Sequence, residues 1–282
     1  MDITTVTGFR TARTRGDLAL APGERFLAGG TWLMSEPQPE TTGFVDLTTM
    51  GWPELEVDET GLRIAATCTI ARLVAFAAGR LEVHAPADWA ALDLVPMAAN
   101  ALLASFKIWN TATVGGNLCR AFAAGAMVSL CAALDGVAVI WRADGSEARM
   151  LVADLVVDDG KTCLAPGDLL RAIEIPAATL RSPAALHKIA LAELGRSGAV
   201  VTGRLDGDGS ATFTVTAAVR RPVVLRFETL PSDAALVAAV EAAPGYYSDP
   251  LGAADWRRGV SSVLARRVAA DLRHGHDQMP AA

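Results

Sequence analysis

Apolar positions along this chain alternate between strand-like and helix-like spacing, then turn mostly to strands, then close on helices. Arg25–Ala28 and Phe44–Leu47 are short apolar segments bounded by Gly, Pro or Thr, so each predicts a buried strand. Leu62–Thr67 predicts another. Thr69 then offers an N-cap hydroxyl, and Ile70, Leu73, Val74 and Ala77 recur at i, i+3, i+4 and i+7, the spacing of an amphipathic helix. Asp88 to about Phe106 predicts a second helical stretch, which Pro96 breaks or offsets, and Gly125–Leu134 a third.

Strand patterns follow. Val137–Trp141 and Ala148–Val152 flank a turn at Asp144-Gly145. Leu170–Ile175, Ala185–Leu191, Ala199–Leu205 and Ala211–Ala217 come next, the last two joined by Gly207-Asp208-Gly209. Phe213, Val215 and Ala217 alternate with Thr212, Thr214 and Thr216, which predicts one buried and one wet face. A helix over about Ser232–Ala242 and a long one over about Ala253–Leu272 end the pattern, the latter with Trp256, Val260, Val263, Leu264, Val268 and Leu272 on one face. His274–Ala282 reads as frayed. The order predicts an α+β protein with a seam near Pro176–Pro183, where Pro, Ser and Arg cluster.

Composition narrows the class. The 282 residues suit one large domain or two ordinary ones, and 51% hydrophobic residues suffice for a sizeable core. A mean hydropathy of +0.31 raises the question of a membrane span. The uncharged runs Leu94–Phe106 and Ala121–Leu134 fall short of the roughly 18–20 residues a membrane helix needs. Met1–Leu20 carries Asp2, Arg10, Arg13, Arg15 and Asp17, so it does not read as a signal peptide. The 25 basic and 31 acidic residues leave a net charge of −6, with no basic arm or stripe for nucleic acid. Cys68, Cys119, Cys131 and Cys163 form no C-x-x-C and lie near no histidine in a metal-ligand spacing. A zinc or iron–sulfur site within this chain is not expected, and a reducing cytoplasm is the default compartment.

Two glycine pairs stand out as candidate chemistry. Leu27-Ala28-Gly29-Gly30-Thr31-Trp32-Leu33 follows a predicted strand directly. Thr111-Ala112-Thr113-Val114-Gly115-Gly116-Asn117-Leu118 is the second. A glycine pair turns the backbone tightly and can present N–H groups to an anion; either pair taken alone reads first as a plain tight turn. Between Leu94 and Leu134 there is no acidic residue, and Lys107 and Arg120 are the only charges. An anionic ligand would meet no carboxylate there, although a buried core segment also lacks charge. G-x-G-x-x-G, P-loop, G-x-S-x-G and H-E-x-x-H patterns are absent.

At these two segments the chain resembles the FAD-binding subunit of the molybdenum hydroxylases, the family of carbon monoxide dehydrogenase medium subunits and the flavin domain of xanthine dehydrogenases. Leu27–Leu33 is similar to that family's "AGGTDL" loop, and Ser105–Ala133 to its "IRN-x-ATIGGNL-x-x-ASPAGD" segment. The resemblance continues through Leu164–Pro176. It returns at Ser248-Asp249-Pro250 and Ala254-Asp255-Trp256-Arg257-Arg258, similar to the family's "SD…SAEYR".

The resemblance implies an α+β, PCMH-type FAD-binding fold. It has two α/β subdomains over residues 1–176, their boundary near 55–60, and an antiparallel-sheet and helix domain over 177–282. It implies FAD between the first two subdomains. Phe26, Leu27, Ala28, Gly29, Gly30, Thr31, Trp32 and Leu33 would wrap the pyrophosphate and ribityl chain with Thr113, Val114, Gly115, Gly116 and Asn117, mainly through backbone N–H. Leu103 falls at the family's apolar or aromatic cofactor contact and Leu170 at an apolar position near the flavin or adenine. Lys188 falls at its lysine near the isoalloxazine; read without the family, Lys188 is a strand-end lysine reaching solvent.

This chain departs from the pattern at Trp32, at Trp109 in place of the family's Arg, and at Ala126 in place of its aspartate. Stacking on a ring and filling space both suit Trp32. The lost aspartate removes a charged hydrogen bond worth roughly 1.5–3 kcal/mol unless something replaces it. The implied role is electron transfer. Hydroxylation would occur at a molybdenum-pterin cofactor on a large partner subunit. Electrons would pass through 2Fe-2S clusters on a small one, separate or fused, and FAD here would pass them to NAD+, oxygen or a quinone-like acceptor. A dimer of heteromers in the cytoplasm is expected. An assembly subunit that binds FAD weakly or not at all is the alternative, motivated by Trp32 and Ala126. A self-contained flavin oxidase is a third reading; such enzymes often tether flavin through a histidine, and all four histidines lie outside the glycine segments.

Overall fold

The computed structural model describes residues 4–101, 104–192 and 195–277. Strands β1 (Gly8–Thr11), β2 (Glu24–Leu27) and β3 (Gly43–Asp46) make a small parallel sheet in the order β1-β3-β2. Phe44 and Val45 bury its centre, and Arg10 reaches from β1 to β2, where Nε and Nη2 donate to the two Glu24 carboxylate oxygens at 2.9 and 2.8 Å. Such a two-pronged pair fixes orientation as well as charge.

The chain then enters a larger antiparallel sheet through β4 (Leu55–Asp58) and β5 (Gly61–Ala65). Five helices follow: α1 (Ile70–Ala77), α2 (Leu94–Ala101), α3 (Phe106–Trp109), α4 (Val114–Arg120) and α5 (Ala126–Ala133). Next come β6 (Val137–Trp141), β7 (Glu147–Leu151), α6 (Val152–Leu155), the small hairpin β8 (Val156–Asp158) and β9 (Lys161–Thr162), and β10 (Leu169–Pro176). The strand order is β4-β5-β10-β6-β7, and the sheet shares one large core with α1, α2, α4 and α5.

After α7 (Ala177–Arg181), strands β11 (Ala184–Ala190), β12 (Ser197–Leu205), β13 (Ala211–Thr216) and β14 (Val223–Phe227) form an antiparallel meander. Helices α8 (Asp233–Glu241) and α9 (Ala254–Asp277) complete the described chain. Leu236, Leu264 and Val268 from these helices meet Val201, Phe213 and Val215 from the sheet in a second core. The α+β architecture matches the expected one. No helix among the described residues is long and apolar enough to cross a membrane.

Several local expectations need correction. The threonine face of β13 is dry: Thr212, Thr214 and Thr216 are all buried, because α5 packs on β13 and β12. Helix α5 is apolar on every side but for Ser129 and is buried throughout, as a helix between two layers must be. Ser129 Oγ on it lies 2.6 Å from Thr216 Oγ1. Pro96 does not break its helix. It sits in the first turn of α2, where a missing N–H costs nothing, and a 3-10 turn over Ala90–Asp93 precedes it. Residues 177–181 form α7, Val263 is exposed on α9, and α9 runs on through His274 to Asp277.

The Ser248-Asp249…Arg257 segment has a clear structural use. Arg257 is completely buried, and its guanidinium donates to the carbonyls of Gly198 (2.5 Å) and Ala217 (2.8 Å) and to Asp249 Oδ1 (2.5 Å). It thereby ties the start of α9 to β12 and to the end of β13.

Candidate functional site

The first glycine segment begins where β2 ends. Leu27 is still a ladder residue, opposite Asp46; beyond it Gly30 takes φ +65, a left-handed conformation glycine adopts without strain. A short turn then closes through Met34 N–H to the Gly30 carbonyl (2.8 Å) and Ser35 N–H to the Trp32 carbonyl (2.9 Å). Among the described residues, none of the backbone N–H groups from Ala28 to Leu33 has a protein acceptor. Six consecutive donors are left without partners in a segment that is only partly exposed. That is unusual, because backbone donors are nearly always paired.

The second segment is not a loop over its glycines. Thr113 is the N-cap of α4, its hydroxyl accepting from Gly116 N–H at 3.0 Å. Val114 N–H donates to Cys68 O (2.8 Å), Gly115 N–H to Ala66 O (2.9 Å) and Asn117 N–H to Thr113 O (3.0 Å). The donors from Val114 to Asn117 are therefore all used inside the protein. Gly115 is required by close packing: a Cβ there would sit 2.4 Å from Ala66 Cβ. The Asn117 side chain is engaged too, accepting from Met127 N–H (2.9 Å) and so fastening α4 to the start of α5. The free donors of this region thus lie in the first segment.

The two segments touch. A Cβ on Gly29 would fall 1.9 Å from the Thr111 carbonyl oxygen, so only glycine allows this approach. At the far end of α4, the Arg120 guanidinium carbon lies 4.0 Å from the ring centroid of Trp32 and 4.0 Å from that of Phe122. Residues 28–33 therefore run alongside α4, with Gly29 against Thr111, two residues before its N-cap, and Trp32 against its last residue. Burial pulls the Arg120 pKa down, and Asp159 and Glu36 oppose that shift by attraction. Trp32 is accounted for in part: one of its partners is a guanidinium. Sequence reasoning misses the stack of Arg120 and Phe122 on Trp32; the one signal pointing to it is Arg120 itself, one of two charges in an otherwise uncharged stretch.

The remaining expected residues are spread around this pair of segments. Phe26 packs against the small core of the first sheet, which also holds Leu47 and Leu169. Leu170 is buried on β10 opposite Ile140, inside the large core. Lys188 lies on β11, and its Nζ donates to the Asn100 carbonyl near the end of α2 at 3.0 Å. Leu103 lies outside the described residues. Trp109 keeps its indole N–H buried without an acceptor among the described residues, and Ala126 is buried in the first turn of α5.

A family model described as the FAD binding domain in molybdopterin dehydrogenase matches residues 12–178, more than half of the chain. The chain belongs to this family. The matched residues run from the first sheet through the whole second sheet and include both glycine segments. No curated protein matches the chain by sequence. Solved structures with the same fold include quinoline 2-oxidoreductase from Pseudomonas putida 86, with TM-score 0.78 and 19% identity over 98% of this chain and 99% of that one. Another is the reconstituted CO dehydrogenase from Oligotropha carboxidovorans, with TM-score 0.81 and 22% identity over 96% and 98%. A third is the carbon monoxide dehydrogenase from Hydrogenophaga pseudoflava, with TM-score 0.76 and 17% identity over 95% and 98%. At these identities the likeness is one of fold.

The residues present fit FAD. Its diphosphate is an acceptor-only group, and residues 28–33 offer donors without acceptors of their own. Among the described residues no carboxylate forms an ion pair with Arg120, the cation packed on the Trp32 ring of that segment; Asp159 and Glu36 act on it only at longer range.

Proposed function

We infer that this chain is the FAD-carrying electron-transfer subunit of a multi-subunit molybdenum hydroxylase of the xanthine, CO or aldehyde dehydrogenase type. The observation that carries this reading is the row of unpaired N–H groups from Ala28 to Leu33, laid against α4 by Gly29, in a chain of the FAD-binding family. In this reading the FAD-binding unit covers residues 1–176 and the accompanying domain 177–282.

The chain's own residues bind and orient. Backbone donors of residues 28–33 hold the diphosphate in place of water, and because the ladder of β2 fixes Leu27, they are arranged before the cofactor arrives. Thr113, Val114, Gly115, Gly116 and Asn117 would flank the cofactor from the α4 side, with Gly116 the exposed one of their two glycines. Phe26 and Leu27 support the first segment from the core side. Leu170, buried in the large core, would lie on the apolar side of the cofactor, and Leu103 and Lys188 would serve the flavin end. FAD, when bound, supplies the redox chemistry, accepting electrons from 2Fe-2S clusters on a small partner and passing them to NAD+, oxygen or a quinone-like acceptor. Substrate hydroxylation would take place at the molybdenum-pterin cofactor of a large partner, within a cytoplasmic dimer of heteromers.

Uptake of FAD by the purified full chain tests the reading. It is expected to give the flavin absorption bands after gel filtration. A chain that takes up no FAD, alone or with its co-purifying partners, is the assembly subunit of the second reading. The buried Ala126, where a carboxylate would otherwise meet the ribose or ribityl hydroxyls, is the observation on that side.

A further inference from the structure

Arg120 is the cation that packs on the ring of Trp32, a residue of the free donor row. The rings of Trp32 and Phe122 both lie against its guanidinium, each at 4.0 Å. Its Nε is buried with no hydrogen-bond partner among the described residues. Its electrostatic partners, Asp159 and Glu36, form no ion pair with it, and one oxygen of Asp159 already accepts from Ala123 N–H at 2.8 Å. A guanidinium held against two aromatic rings gains contact through its carbon and ring-facing surface, and its N–H edge is the part that pairs with phosphate oxygens. Stacking also removes rotamer freedom that binding would otherwise cost. Trp32, which holds Arg120 in place, belongs to the donor row itself.

We propose that Arg120, clamped by Trp32 and Phe122, is a diphosphate-binding residue of the FAD site, adding a cation to the neutral donors of residues 28–33. The proposal rests on the FAD reading. It gives Trp32 a definite role, since its ring orients the guanidinium that meets the anion. It also supplies a charged contact from this chain in a site where Ala126 offers none.

The test uses the apo full-length chain, titrated with FAD by flavin fluorescence and with ADP as competitor, at low and high NaCl. R120Q is expected to weaken FAD and ADP alike by about 10- to 100-fold, the usual worth of a hydrogen bond to a charged group. It also flattens the salt dependence of binding. R120K keeps the charge and loses the flat edge, so it falls between R120Q and wild type. FAD bound equally well by wild type and R120Q overturns the proposal and leaves the FAD reading standing. FAD weakened while ADP competes equally with both proteins, or with neither, places Arg120 away from the diphosphate and overturns it as well. R120K equal to R120Q in affinity and salt dependence reduces Arg120 to a spacer between two rings, again overturning it. Should R120Q fail to fold, R120K and wild type carry the test, and wild-type affinity indifferent to salt is the overturning result. Wild type that binds no FAD removes the FAD reading, and the proposal with it.

Discussion

Replacing Gly29 by alanine sets a new Cβ 1.9 Å from the carbonyl oxygen of Thr111 and 2.8 Å from its carbonyl carbon. Real Cβ contacts essentially never fall below 3.0 Å, so one backbone must retreat by about 1 Å. Neither can yield cheaply. Gly29 follows the β2 ladder closely, and Ala112, next to Thr111, accepts from Ile70 N–H at 2.9 Å. Overpacking a rigid contact costs typically 1–3 kcal/mol, and a backbone-to-backbone clash sits at the upper end, about 3 kcal/mol. For a chain of this size that lowers Tm by about 6–12 °C. Thermal melting of the apo chain by circular dichroism reads the stability, and FAD titration reads the site, where the first segment is displaced from α4. A fully stable G29A with unchanged FAD affinity would refute the close apposition of the two segments. Gly29 has no left-handed φ to complicate the result, so the steric clash is the whole expected effect.

Arg257→Met keeps the bulk of a fully buried side chain but strands Asp249 and the carbonyls of Gly198 and Ala217. It should cost about 3–5 kcal/mol in urea unfolding, and a loss below about 1 kcal/mol would deny the buried pair its anchoring role. Gly259→Ala lies in α9 with open space around the new methyl, so it should gain about 0.5–1 kcal/mol; a lower Tm would contradict the described helix environment. The bond from Arg10, then that from Ala21 N–H, holds the Glu24 carboxyl down at about 2, from an ordinary 4.5. A carboxyl depressed in the folded state stabilises it above its unfolded pKa, and this contribution fades as pH falls from about 4.5 toward 2. E24Q should therefore be less stable than wild type at neutral pH, with the gap closing toward pH 2; a gap constant with pH would place the effect in packing.

Which parts of this molecule are legible in its sequence follows from where each determinant lies. Helix α1 is readable because its cap and apolar stripe are local: Thr69 Oγ1 does accept from Arg72 N–H, at 3.2 Å. Helix α5 and strands β6 and β10 also carry their own patterns. The parallel sheet is half visible, since β1 has four residues, three of them exposed, and gains its place only by pairing with β3. The threonines of β13 look solvent-facing to any local reading, because the helix that dries them is encoded far upstream. The glycine pairs show the limit most sharply. Both stand out in the sequence, yet Gly29 and Gly115 are each demanded by a neighbouring backbone, Thr111 and Ala66, independently of any ligand. The sequence pattern that marks a ligand-facing glycine is the same one that marks two packed chains. What separates them is the fate of the N–H groups. At residues 114–117 the donors are consumed by Cys68, Ala66 and Thr113, whereas at residues 28–33 they are not. The chain around the second segment meets the first at two points, Thr111 against Gly29 and Arg120 against the Trp32 ring, and these contacts set the path of the donor row.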